Sequence, residues 1–233
     1  MDKNNTRLPE KQSRRTFIVI ISYRHNFAFI CVPKCASTSS ERVLYESGIL
    51  DNENDICTSE HWLRRGHKKH TSWSQAIKAG IVCDTTECIA FVRNPVDRFL
   101  SGAHYFLYGP EFLVKVPSPK LVSRKIGPDL YNNFWDRFLD KQNNVDNPAS
   151  PFTQWFGENQ ISFLNDGPTV YKVENFGPRI TELVERCGGT VKEVLHLNKS
   201  KERPPTDQLL TKERQQQILD FYADDFILWE NAK

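Results

Sequence analysis

The segment 27–44, FAFICVPKCASTSSERVL, limits the possible folds of this chain more than any other stretch. It reads as an apolar strand ending at Val32, then Pro-Lys, then a run of small and hydroxyl residues, then a helix starting near Ser37. A strand that hands a tight loop to a helix N-terminus builds an anion cradle. The small residues Cys35 and Ala36 let backbone N–H groups converge, and the helix adds its own unpaired N–H groups and positive dipole end. Lys34 supplies a mobile point charge, and Ser37, Thr38 and Ser39 supply hydroxyl donors without bulk. The nucleotide loop G-x-x-x-x-G-K-[ST] is absent, because no Gly stands here and Lys34 precedes the small residues, so a standard ATPase is disfavoured. Taken alone, the segment is equally compatible with a plain strand–helix junction, since Ser and Thr are preferred capping residues.

A second constellation, FVRNPVDRFLSGAHYF at 91–106, repeats the pattern. An apolar strand ends near Arg93, Asn94 is a good N-cap, Pro95 suits the first helical position, and Asp97 lies in the favourable first turn. Val96, Phe99, Leu100, Ala103, Phe106 and Leu107 form the apolar stripe of the helix, leaving Asp97, Arg98, Ser101 and Tyr105 on the other side. Arg93 and Ser101 can then face one ligand above the strand edge, a guanidinium and a hydroxyl suited to a phosphate. The plain alternative is a surface Arg paired with Asp97 and a solvated Ser.

In that order the motifs VPKCASTS and FVRNPVDRFLSG resemble the two cofactor motifs of PAPS-dependent sulfotransferases, in particular the carbohydrate sulfotransferases of sulfotransferase family 2 (PAPS, 3′-phosphoadenosine 5′-phosphosulfate). KHTSWSQAI, PFTQWFGENQISFL, VYKVENF, HLNKS and LTKERQQQILDFYADDFILWE look like later landmarks of that family, so the resemblance covers about 27–229. One departure is Ala36, where the family often has Gly; Ala serves there if its φ stays negative.

The resemblance implies a P-loop-like, three-layer α/β fold and transfer of a sulfonate from PAPS, without metal, to a hydroxyl-bearing acceptor such as a carbohydrate or glycolipid. It implies that Lys34 stabilises the leaving bridge oxygen, that Ser37, Thr38 and Ser39 with Cys35 and Ala36 hold the 5′-phosphate side, and that Arg93 and Ser101 hold the 3′-phosphate. Removal of the hydroxyl proton during in-line attack calls for a base with a pKa near neutrality. His70, just before a helix at 72–79, takes that role by resemblance, with His67 next and Glu174 third; a surface His in a basic run is the plain alternative. Lys199, Lys201 and Arg203 could close over the 3′-phosphate or be a solvated charge run. Gln154, Trp155 and Phe156 could line an acceptor groove or be plain core.

Composition bounds the rest. The chain has 233 residues, 39% of them hydrophobic, and no low-complexity linker, which fits a polar tail at 1–16 and one domain at 17–233. A net charge of +2 does not suggest bulk nucleic-acid binding, although basic residues cluster at 61–70. The apolar runs at 17–21 and 27–32 fall far short of the roughly 20 residues that cross a bilayer, so a soluble cytoplasmic protein is expected, unlike the membrane-anchored Golgi members of the family. Six cysteines without a C-x-x-C pair or scaffold density are expected to be reduced thiols, with Cys31 in strand core and Cys35 in the loop. Cys57, His61, His67 and His70 have a spacing that matches no common zinc module.

Strands are predicted at 27–32, 87–92, 169–173 and 194–197, with a further one within 16–22 joined by a turn at 23–26. Helices are predicted at 37–47 closed by Gly48, 72–79 closed by Gly80, 95–107, 129–140, 179–186 and 212–223. Alternation of this kind is α/β with a mainly parallel central sheet, whose ligands bind beyond the carboxyl ends of the strands. Two other function classes compete: a P-loop phosphotransferase, which calls for a Gly-rich loop and a Mg²⁺-binding carboxylate, and a non-catalytic nucleotide or glycan binder.

Overall fold

The computed structural model describes residues 19–50, 55, 72–78, 80, 82, 83, 85–108, 127–143, 158–165, 167–194 and 204–233, with backbone alone at 106–108 and 141–143. Its four described strands are β1 (Ile20–Ser22), β2 (Phe27–Ile30), β3 (Glu87–Val92) and β4 (Thr169–Lys172), and they lie in that order across one open sheet. β1 runs antiparallel to β2, with Ile20 opposite Phe29, whereas β2–β3 and β3–β4 are parallel. The register of β1, which the sequence left open, is set by the turn at 23–26 and by Asp55, which accepts from the Ser22 hydroxyl at 3.0 Å and the Tyr23 N–H at 2.8 Å.

The helices are α1 (Ser37–Glu46), α2 (Trp73–Lys78), α3 (Pro95–Tyr108), α4 (Pro128–Asn143), α5 (Ile161–Leu164), α6 (Phe176–Arg186), α7 (Thr206–Leu209), α8 (Lys212–Phe221) and α9 (Ala223–Asn231). Gly48 and Gly80 follow α1 and α2 with φ of +74° and +66°, the left-handed conformation that ends a helix at small steric cost. α6 starts earlier than periodicity predicts, after a 3₁₀ turn at Val173–Asn175. Pro178 is compatible with this start because the first turn needs no intrahelical N–H. The predicted helix at 212–223 is two helices that meet at Tyr222, and Val194 is not in a strand, the rest of that predicted strand lying outside the described residues. Among the described residues no helix is long and apolar enough to cross a membrane.

Among the described residues the buried hydrophobic side chains form two groups. One is the sheet itself, with α1 and α6 packed on it; there the Phe91 ring meets Phe176 edge-on at 5.2 Å and Phe29 at 5.9 Å. The other joins α3, α4, α7 and α8, with Phe99 against Trp135 at 5.1 Å and a right angle. Complete burial of a Phe side chain is worth roughly 1.5–3 kcal/mol, so both groups hold their elements firmly. β3 belongs to the first group and α3 to the second, which places Arg93 and Asn94 at the joint between them.

Candidate functional site

Beyond β2 the backbone turns sharply. The Cys35 N–H donates to the Val32 carbonyl at 3.2 Å, and Lys34 and Ala36 both adopt left-handed conformations, with φ of 65° and 62°. The condition on Ala36 is therefore not met: it takes the positive φ that favours Gly, at about 1–2 kcal/mol for each non-Gly residue so placed. Ala36 is also the N-cap of α1 and has no side chain to cap with. Ser37 does not cap the helix either, because its hydroxyl donates back to the Val32 carbonyl at 2.8 Å. Ser37 and Ser39 are buried and Thr38 is the exposed hydroxyl of the three. The Ser40 N–H donates to the Ala36 carbonyl at 2.9 Å, so helix geometry aims the N–H groups of Ser37, Thr38 and Ser39 along the axis past the end of β2. Half-buried Lys34 sets its Nζ over the Tyr105 ring, 4.1 Å from the centroid.

Beyond β3 the local sequence behaves as its residue types suggest. The Asn94 side-chain oxygen accepts from the Val96 N–H at 3.0 Å, its carbonyl accepts from the Arg98 N–H at 2.8 Å, and Pro95 opens α3 with Asp97 in the first turn. Arg93 and Ser101 are half-buried. Ser101 and Tyr105 stand four apart on one face of α3, so the Lys34–Tyr105 contact brings the first loop to the face that carries Ser101. Burial pushes the Tyr105 hydroxyl pKa up, which keeps it protonated.

Arg98 is the main correction. Helical periodicity put it with the polar face, yet it is buried (2% exposed), as are Gln160 and Asp225 (both 0%) and Cys35 (1%). Arg98 Nε donates to the Pro33 carbonyl at 3.3 Å, one terminal nitrogen donates to the Glu158 carbonyl at 3.0 Å, and the other pairs with Asp225 at 3.4 Å. Asp225 also accepts from the Ile161 N–H at 3.0 Å. Its carboxyl pKa is raised by burial, and the Arg98 charge works against that rise. Burial pushes the Cys35 thiol up to about 11 despite the nearby Arg98 and Arg93, so it is protonated at neutral pH and donates to Gln160 Oε1 at 3.0 Å. The same oxygen accepts from the Arg93 N–H at 2.9 Å, and Gln160 Nε2 donates to the Arg93 carbonyl at 2.9 Å. Sequence reasoning missed this network. The helical pattern carried no signal of it; in the structure Pro95, Arg98 and Gly102 form a second buried row on α3, beside the apolar stripe.

Two strand–loop–helix units thus stand on neighbouring parallel strands, with both loops at the carboxyl ends, where ligands of such sheets bind. The family model described as the sulfotransferase family matches residues 18–230. The chain belongs to the sulfotransferase family. Membership makes it an enzyme that transfers a sulfonate, with PAPS as donor. No curated protein matches the chain, and no solved structure does.

Of the sulfotransferase's remaining candidates, His70 and His67 lie outside the described residues, as do Lys199, Lys201, Arg203 and the stretch 154–156. Cys57 and His61 also lie outside them; among the described residues no group of three or more His, Cys, Asp or Glu could hold a metal. Glu174, third in line as a base, sits in the 3₁₀ turn and accepts from Trp229 Nε1 at 3.4 Å. Cys31 is buried as expected, and the five described cysteines form no disulfide with one another.

Proposed function

We propose that this sulfotransferase moves the sulfonate of PAPS to the hydroxyl of a carbohydrate or glycolipid, on a P-loop-like three-layer scaffold. The observation that carries the reading is the pair of loops on adjacent parallel strands, one with a helix N-terminus and Lys34, the other with Arg93 and the Ser101 face of α3. The donor has two phosphate positions on one nucleoside, and each loop suits one of them: Cys35 to Ser39 with Lys34 for the 5′ side, Arg93 and Ser101 for the 3′-phosphate. A neutral Ala36 and a lysine on an aromatic ring fit a ligand that brings its own negative charge and needs a mobile cation near the breaking bond.

In the reaction the acceptor oxygen attacks sulfur, the bond from sulfur to the bridging phosphate oxygen breaks, and the acceptor proton passes to a base. PAP, the 3′,5′-bisphosphate, departs with its new charge beside Lys34. His70 is the proposed base. His70→Ala should leave PAP affinity nearly intact and lower turnover by roughly 10²–10⁴. Unchanged turnover passes the role to His67.

Thermal melting tests the donor without knowledge of the acceptor. PAP at about 100 times its Kd should add about 2.7 kcal/mol of stability without added metal. ATP with Mg²⁺ should do little, and Arg93→Ala should erase most of the PAP preference. Stronger stabilisation by ATP with Mg²⁺ would favour a phosphotransferase. Mass spectrometry of a glycan and glycolipid panel incubated with enzyme and PAPS then identifies the acceptor by a gain of one sulfonate.

A further inference from the structure

One buried side chain ties the two loops together. Gln160 lies just before α5, far in sequence from both, and is fully buried. Its carbonyl oxygen accepts from the Cys35 thiol at 3.0 Å and from the Arg93 N–H at 2.9 Å, while its amide nitrogen donates to the Arg93 carbonyl at 2.9 Å. Both backbone groups of Arg93 are thus held by the amide that also holds the first loop. A second path runs behind it. Arg98 binds the Pro33 carbonyl at 3.3 Å and pairs with Asp225 at 3.4 Å, and Asp225 accepts from Ile161, the residue after Gln160, at 3.0 Å. The paths close a ring through Pro33, Arg98, Asp225, Gln160 and Cys35.

We propose that Gln160 is a positioning residue that sets the separation of the two anion loops, and thereby the selectivity for a ligand carrying two phosphates at that spacing. This rests on the reading that the loops hold the 5′ and 3′ ends of the donor. Two linked sites gain affinity over either alone only when the linker spans them, and the advantage is then on the order of 10²-fold or more. A shift of about 1 Å between the loops removes that advantage and leaves each cradle intact. A glutamine suits the task because one planar amide offers an acceptor and two donors at fixed geometry.

The test compares three probes by calorimetry: PAP, AMP (5′-phosphate alone) and adenosine 3′-phosphate. In the unmodified protein PAP should bind on the order of 10²-fold tighter than either monophosphate. In Gln160→Met that ratio should fall about tenfold or more, with the monophosphate affinities held within about twofold. A residue that only stabilises the fold would lower the melting temperature and leave the ratio alone, and that result overturns the proposal. If Gln160→Met does not fold, Cys35→Ala, which deletes one arm of the tie and little volume, carries the comparison, with Cys35→Ser retaining a donor. A ratio lowered in Cys35→Ala and recovered in Cys35→Ser supports the tie, whereas equal ratios in all three proteins refute it. If the unmodified protein shows no preference for PAP, the donor reading itself falls, and that outcome appears before any variant is made.

Discussion

The loops that follow β2 and β3 leave neighbouring parallel strands, yet different kinds of interaction hold them. After β3, Asn94 caps the helix, Pro95 opens it and Asp97 faces its positive end, so residues within one turn supply what the backbone needs. After β2, the helix starts from a left-handed Ala36 with no capping side chain, next to a left-handed Lys34. Locally the Cys35 N–H and the Ser37 hydroxyl both donate to the Val32 carbonyl, and the remaining support comes from distant segments: Arg98 on the Pro33 carbonyl and Gln160 on the Cys35 thiol. Where residue types agree with the backbone conformation, local rules suffice. Where they disagree, the strain persists only because surrounding contacts over-determine it.

The largest expected effect that could break this comparison is at Arg98. Arg98→Met leaves the Asp225 carboxylate buried without its cation and should lower unfolding stability by about 3–5 kcal/mol in urea titration. Its pH dependence adds a check. Asp225 has a raised folded pKa, so its contribution is most favourable below the unfolded value and is lost as pH rises through the folded one. Without Arg98 that pKa should rise further, and the deficit of the variant should shrink on acidification. A loss under about 1 kcal/mol at neutral pH would mean that the first loop does not depend on its distant support.

A smaller effect is expected at the other loop, where Asn94→Ala should cost about 1 kcal/mol, the ordinary value of a cap, and should leave the first loop's ligand affinity untouched. A loss comparable to that of Arg98→Met would erase the distinction. Ala36→Gly should work in the opposite direction. Relief of the left-handed strain outweighs the added freedom of the unfolded chain, for a net gain of roughly 0.5–1 kcal/mol. Destabilisation by glycine would show that the loop is not strained. Tyr105→Leu removes the ring under Lys34, and about 0.5–1 kcal/mol of cation–π energy corresponds to a few-fold fall in kcat at saturating PAPS, with Tyr105→Phe retaining activity. The last expectation concerns a thiol outside the site. Cys83 is exposed, and hydrogen bonds from Thr85 and Thr86 lower its pKa to about 7. Among the five described cysteines it should alkylate fastest, at a rate that levels off above pH 7, with stability unchanged.

Much of the frame was legible because it depends on periodic burial. The spans of β3 and α3, the closing glycines of α1 and α2, and the mainly parallel sheet follow from apolar runs and turn residues that need no distant partner. The break at Tyr222 and the early start of α6 were not legible, since helix ends depend on what the chain packs against. At the candidate site, the residue types of Lys34, Arg93 and Ser101 were readable as chemistry, while the roles of Arg98 and Gln160 were not. A buried arginine and a surface arginine look the same in a helical pattern until the carboxylate that joins it, here Asp225 at the other end of the chain, is in place.

By itself the sequence determined the strand–loop–helix units, their order and the small, hydroxyl and basic residues at their turns, because these depend on side-chain size, capping and alternation over a few residues. Tertiary structure alone decided that Ala36 is left-handed, that Ser37 turns its hydroxyl back to Val32, and that the two loops share one buried glutamine. The reason is desolvation. Each buried polar group must find a partner, and the partners of Arg98, Gln160 and Cys35 come from segments that meet only after the sheet and helices have packed.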